Sequence, residues 1–211
     1  MAYAIADYRT QLAALLKDDT AAVWTTDELD QAVVFALHDY SNAFPYRTHA
    51  IVTLTASSRF YNLTATPFSL IGILAVEALA YPYTSEEEPG YLLPFELQGT
   101  TLVLLTADLP DVGKKVYVTY NTLHTISGLV SATATTVPDT HMPLLCTGAA
   151  AYAAYAKAAV MAREFNWPAG AAHEVKDWGT TLLKQFRTGL ADAKPSAAWA
   201  SWGSPRPPAG L

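Results

Sequence analysis

The chain has 211 residues, 51% of them hydrophobic and only 15% charged, with a formal net charge of −6. That length accommodates one well-filled domain, or one domain carrying an insertion. The acidic balance excludes a protein that grips nucleic acid through clustered Lys and Arg, although it permits a wall that DNA slides past. A lone cysteine, Cys146, excludes an internal disulfide framework and a cysteine-based zinc cluster.

In chain order, Ile5, Tyr8, Leu12 and Leu15 are spaced for one face of a first helix over residues 3–17. The next stretch, WTTDELDQAVVFALHDYSNAFP, carries the strongest local signal. Thr25 and Glu28 have capping-box spacing, and Trp24 and Leu29 are placed to close a hydrophobic staple. Leu29, Val33, Leu37, Tyr40 and Phe44 then mark one helical face over about 26–43, which Pro45 ends.

From residue 48 the period changes to two. HAIVTLTASSRFYNL predicts two strands meeting near Ser57 and Ser58, and IGILAVEALAYP a further strand. YTSEEEPG reads as a solvated acidic loop, and FELQGTTLVLLTA turns near Gly99. TLVLLTADLPDVGKKVYVTY, residues 101–120, predicts a β-hairpin closed through Pro110, Asp111 and Gly113. Val116, Val118 and Tyr120 alternate with Lys115, Tyr117 and Thr119, which predicts one buried and one wetter side.

After a Thr- and Ser-rich stretch, a third helix is predicted over 143–164. Thr140 or His141 is placed to cap it, with Pro143 in its first turn. It is rich in alanine, so a neighbouring helix can approach closely. A fourth helix over 169–190 places Val175, Trp178, Leu182, Phe186 and Leu190 on one face. The tail KPSAAWASWGSPRPPAGL combines prolines and glycines with Trp199 and Trp202, and cannot fold alone.

The start of the chain lacks the basic and long apolar regions of a signal peptide. The run MPLLCTGAAAYAAYAKAAVMA, interrupted by Lys157, falls short of the ~20 strongly apolar residues of a bilayer span. These features predict a soluble protein made in the cytoplasm, with no membrane partner.

Chemistry-bearing motifs are missing from the sequence. There is no G-x-G-x-x-G, no phosphate-binding G-K-[ST] and no G-x-S-x-G elbow. His38, His49, His124, His141 and His173 stand singly, and the pair Asp139 and His141 is explained by helix capping. Cys146 reads as a small apolar helix residue. No catalytic centre, metal or cofactor is expected, and the chain is read as not an enzyme.

The fold expectation is α+β: mainly a helical bundle of about four helices with an inserted antiparallel β-subdomain and a flexible C-terminal arm. Its parts are core helices at 1–47, the β-subdomain at 48–122, further core helices at 123–191 and a docking arm at 192–211. This order resembles the head-tail adaptor (connector) proteins of tailed bacteriophages and gene-transfer particles. The resemblance lies in WTTDELDQAVVFALHDYSNAFP, LVLLTADLPDVGKKVYVTYNTLHTI and TVPDTHMPLLCTGAAAYAAYA, covering about residues 20–190. It is one of layout and local pattern, without a signature motif.

The resemblance implies a homo-oligomeric ring of twelve copies beneath the portal protein, with a neck or tail protein docking below. It further implies a virion location at the head-tail interface after assembly in the host cytoplasm, and DNA passing through the ring without specific binding. Portal docking would fall to Trp199, Trp202, Pro205, Arg206, Pro207 and Pro208. Subunit packing would use Gly148, Ala151, Tyr152, Tyr155 and Ala159 of the third helix. The competing readings are another neck or tail-completion ring protein, and an aromatic-rich ligand-binding module or enzyme. A ligand module would expose aromatics on one sheet face, where Tyr117 and Tyr61 are the candidates.

Overall fold

A computed structural model describes residues 3–18, 23–85, 90–164, 167–168 and 170–193. Among these the chain is mixed α+β, with four helices and two antiparallel sheets. It divides into two compact units. A helical unit comprises Ile5–Ala36 and the chain from Asp139 on; a β unit comprises Leu37–Pro138 with the residues up to Ala4. The loop 123–138 groups with the strands in this division.

The helices are α1 (Ile5–Leu16), α2 (Thr26–Ala43), α3 (Met142–Met161) and α4 (Ala171–Ala193). Helix α2 starts as its sequence dictates. The Thr25 N–H donates to Glu28 Oε2 at 2.7 Å, and the Glu28 N–H donates to Thr25 Oγ1 at 3.3 Å. Trp24 and Leu29, the staple pair, are both buried. Asp18, which no sequence pattern singled out, sits buried just ahead of this start. Its Oδ2 accepts the N–H groups of Val23 and Trp24 at 3.0 and 2.8 Å, fixing the entry to the helix.

Two helical faces differ from expectation. In α1 the buried set is Ile5, Tyr8, Leu12 and Leu16, while Leu15 is exposed, because the face drifts by one position in the last turn. In α4 Phe186 and Leu190 are buried as read, but Trp178 is exposed and Gly179 beside it is buried. The reason is proximity. A Cβ on Gly179 would lie 3.1 Å from Ala154 Cβ and 3.3 Å from Ala151 O, so α3 would have to give way slightly to anything larger than glycine there. Helix α3 is buried along most of its length. A turn of 3-10 helix, Asp139–His141, leads into it, and His141 occupies the N-cap without a side-chain capping bond. Its Pro143 lies in the first turn as expected.

The β unit contains β1 (Tyr46–Thr53), β2 (Phe60–Asn62), β3 (Ile73–Tyr81), β4 (Tyr91–Leu92), β5 (Phe95–Gln98), β6 (Thr101–Leu104) and β7 (Lys115–Thr122). One sheet runs β1-β7-β3-β4 and the other β2-β6-β5. Two sequence expectations fail here. Strands β1 and β2 lie in different sheets and do not pair. Residues 101–120 are not a hairpin, because β6 pairs with β2 and β5 while β7 pairs with β1 and β3. The turn itself exists. Lys114 N–H bonds back to Asp111 O, Gly113 takes φ +85°, and Gly113 and Leu54 close a bond beside the end of β1. It hands the chain from one sheet to the other. The expected turn at Gly99 joins β5 and β6 as read, with Gly99 at φ +63°.

Both sheets bury side chains in one core that includes Val52, Leu63, Phe68, Leu79, Leu102 and Val118. The alternation along β7 holds: Val116 and Val118 are buried, and Tyr120 packs against the same cluster. Tyr61 is also part of this core.

Candidate functional site

Among the described residues no three His, Cys, Asp or Glu side chains gather in a way that would hold a metal ion. The histidines are scattered into separate local roles. His38 shares a bond with Asn42 at 3.2 Å, and His173 Nε2 lies 3.3 Å from Asp177 one turn on. His124 is buried, a role the sequence did not disclose. Its N–H donates to Ser41 Oγ at 2.9 Å, Nδ1 lies 3.0 Å from Thr136 Oγ1, and its ring meets those of Tyr40 and Tyr46 at 5.1 and 5.5 Å. It ties the end of α2, the start of β1 and the segment after β7 together. No periodicity reveals such a node, since its partners are distant in sequence.

Cys146 lies within α3, fully buried, and burial pushes its thiol up to about 12. A thiol so shifted carries almost no thiolate at neutral pH and is a poor nucleophile. Tyr40 is likewise pushed up to about 12 by burial.

The outer face of the β1-β7-β3-β4 sheet holds the most organised polar surface. Register places Arg47, His49 and Ile51 of β1 opposite Asn121, Thr119 and Tyr117 of β7. A bulge in β3 around Glu77 re-aims that carboxylate outward. Glu77 then pairs with Arg47 at 2.6 Å and accepts from Asn121 Nδ2 at 2.9 Å, linking three strands. Above them Tyr117 is stacked on His49 (5.0 Å, 17°) on the β1 side and on Tyr83 (5.2 Å, 29°) on the β3 side. Both faces of Tyr117 are thus covered by neighbours. Tyr61, the other aromatic expected on the sheet face, is in the core with its Oη donating to Ala56 O at 2.8 Å.

The residues expected to pack subunits together fall into two groups. Gly148 and Ala151 are buried inside the helical unit, where a Cβ on Gly148 would lie 2.8 Å from the Phe186 ring. Tyr152 and Tyr155 are half-buried, and Ala159 is exposed. Tyr152 faces Phe35 at 5.7 Å between ring centroids, and Tyr155 Oη donates to Thr180 Oγ1 at 3.0 Å. Tyr155, Thr180, Leu183, Lys184 and Arg187 line a shallow groove of about 450 Å³ between α3 and α4.

By length and composition the helical stretch Asp139–Met161 is apolar enough to cross a membrane, contrary to the sequence reading. More than half of its apolar window (56%) is buried inside the protein, as in a core helix. The portal-docking residues Trp199, Trp202, Pro205, Arg206, Pro207 and Pro208 lie outside the described residues, as do the three glutamates 86–88 of the acidic loop.

No protein-family model matches this chain, and no curated protein matches it either.

Proposed function

We propose that this chain is a structural head-tail adaptor of a tailed virus-like particle, a helical bundle with an inserted β-subdomain. In this reading its copies form a ring of twelve beneath a portal protein and carry a neck or tail protein below, around a channel for DNA. The observation that carries the reading is the order of parts. The chain leaves the helices at the end of α2, makes the seven strands found among the described residues, and returns to helix at Asp139. That layout gives the β unit surface of its own for assembly contacts, Cys146 and His124 are buried in packing, and no three ligating side chains converge among the described residues. Gly148 and Ala151 are used within the chain, so a subunit contact along α3 would fall to the side of Ala159.

A ligand-binding module would need open aromatic faces on the sheet. Tyr61 is buried, Tyr117 is covered on both sides, and the exposed strand aromatics Phe60 and Tyr91 lie in different sheets, so the described residues gather no aromatic row on one face, which disfavours it. The adaptor reading is tested by adding purified protein to portal-bearing particles and imaging them in negative stain. Ring density at the portal is expected. Deleting residues 194–211, which carry the proposed docking arm, should abolish attachment while leaving the thermal transition unchanged. A truncated chain that still loads would remove the arm from the anchor role.

A further inference from the structure

The two ends of the β1-β7-β3-β4 sheet carry complementary apolar features. At one end β7 finishes at Thr122, paired with Ile73 at the start of β3. Just before that start stands Ile71, the most exposed large apolar side chain among the described residues at 88%. It is not on a slack loop. Leu70 on one side is buried and donates its N–H to Leu63 O at 2.8 Å. On the other side Thr122 Oγ1 donates to Gly72 O at 2.8 Å and reaches Ile71 O at 3.3 Å. Gly72 takes φ +66°, and a Cβ there would sit 3.2 Å from Thr122 Oγ1. The backbone on both sides of Ile71 is fixed, so a contact there has little backbone ordering left to impose.

At the opposite end, where β7 begins and β3 finishes, Tyr81, Leu93, Leu109 and Pro110 form the apolar part of a recess of about 230 Å³ that Thr106, Ala107 and Asp108 complete on a more polar side. Tyr81 is held there, its Oη accepting the Asp111 N–H at 2.7 Å. Around this end Tyr91, Leu92, Leu109 and Val112 are all at least half exposed. The recess is smaller than the ~300 Å³ at which drug-sized ligand pockets begin, and holds only a handful of waters at ~30 Å³ each. One branched aliphatic side chain suits it. The eight residues of β7 separate the two ends by roughly 24 Å at ~3.4 Å per step. A knob cannot enter its own recess across that distance.

We propose that copies of this chain join head to tail, Ile71 of one copy seated in the Tyr81–Leu93–Leu109–Pro110 recess of the next. Because knob and recess lie at opposite ends, each contact leaves one of each unused. The association is heterologous, and it closes into a ring when the rotation per copy permits. The contact rests on the ring reading above and names the surfaces that make the ring.

The test uses the full chain in sedimentation velocity over a concentration series. Wild type is expected to associate. Ile71→Asp and Leu109→Asp, both at exposed positions, are each expected to be monomeric with unchanged circular dichroism. An equimolar mixture of the two should form dimers and stop there, since one intact knob meets one intact recess. Ile71→Ser and Leu109→Ser should give the same pattern more weakly, which guards against a folding defect in the aspartates. A monomeric wild type, variants that assemble like wild type, or a mixture that stays monomeric would each overturn the contact. Loading of the same proteins onto portal particles is read separately. Variants that still form rings there sink this contact and leave the adaptor reading standing, whereas a wild type that never binds the particles sinks that reading instead.

Discussion

Glycine serves different ends in the two units. In the helical unit it makes room: Gly148 of α3 receives the Phe186 ring of α4, and Gly179 of α4 lets the helix lie against Ala154 of α3. In the β unit Gly113 has nothing within 4 Å of where a Cβ would stand, and its value is its φ of +85°. The helical unit is therefore sensitive to volume and the β unit to backbone conformation. The units also differ in what they leave uncovered. The β unit exposes Ile71 by 88% and Tyr91 by 80% at opposite ends of one sheet, whereas no large apolar side chain described in the helical unit passes the 51% of Phe35. Assembly is more easily built on the first surface than on the second.

The largest expected effect is at Phe186, which is fully buried on α4. Phe186→Ala should destabilise the helical unit by about 3–5 kcal/mol, through lost burial and the cavity left behind. A double-mutant cycle sharpens the point. Gly148→Ala alone should cost about 1–3 kcal/mol by overpacking, less the ~1 kcal/mol that alanine gains over glycine in a helix. In the Phe186→Ala background the clash is gone, and the same substitution should stabilise. Additive effects in chemical denaturation would mean that glycine and ring do not share one space.

Alkaline pH probes both units through their buried acids. The Cys146 thiol is raised from 9.0 to about 12 and the Tyr40 phenol from 10.0 to about 12, each by burial. A raised folded-state value means the stability is fully present below the unfolded value. It is then lost as pH climbs toward the folded one, because only the unfolded chain releases the proton in that window. Loss should begin near pH 9 in the helical unit and near pH 10 in the β unit, at about 1.4 kcal/mol per pH unit for each group. Cys146→Ala should delay the helical loss, read by amide exchange in α3. An unchanged onset would mean that the thiol ionises as readily in the folded protein as in the unfolded chain.

The helices were legible because their signals are local. The Thr25–Glu28 box spans four residues and forms its bonds wherever the helix later packs, and the period of α2 names Val33 and Tyr40 as core. The missed positions are those decided by a neighbour. Trp178 belongs to the apolar stripe by spacing, yet close approach to Ala154 gives the buried place to Gly179. Strand existence was legible from period two, but pairing was not. A turn at Pro110–Gly113 looks the same whether it closes a hairpin or passes the chain between sheets, since its bonds are made within the turn, to Leu54 and to Tyr81, none of them on β6. His124 and Asp18 escaped notice for the related reason that a single buried polar residue has no period. The proposed recess at Tyr81 joins residues up to 29 positions apart and had no sequence signature.

The smallest expected effect tests the claim that Gly113 is kept for its conformation. An L-residue in the left-handed region costs about 1–2 kcal/mol, and Asn tolerates it best because its short side chain bonds locally. Since no atom lies within 4 Å of the built Cβ, sterics add nothing. Gly113→Ala should therefore destabilise the β unit by about 1–2 kcal/mol, and Gly113→Asn by clearly less, although asparagine is the larger residue. The opposite order is expected for a glycine kept for space, as at Gly148, where the ring leaves no room for either. If Asn proves worse than Ala at Gly113 in thermal denaturation, the turn before β7 is limited by packing and the distinction between the two units fails there.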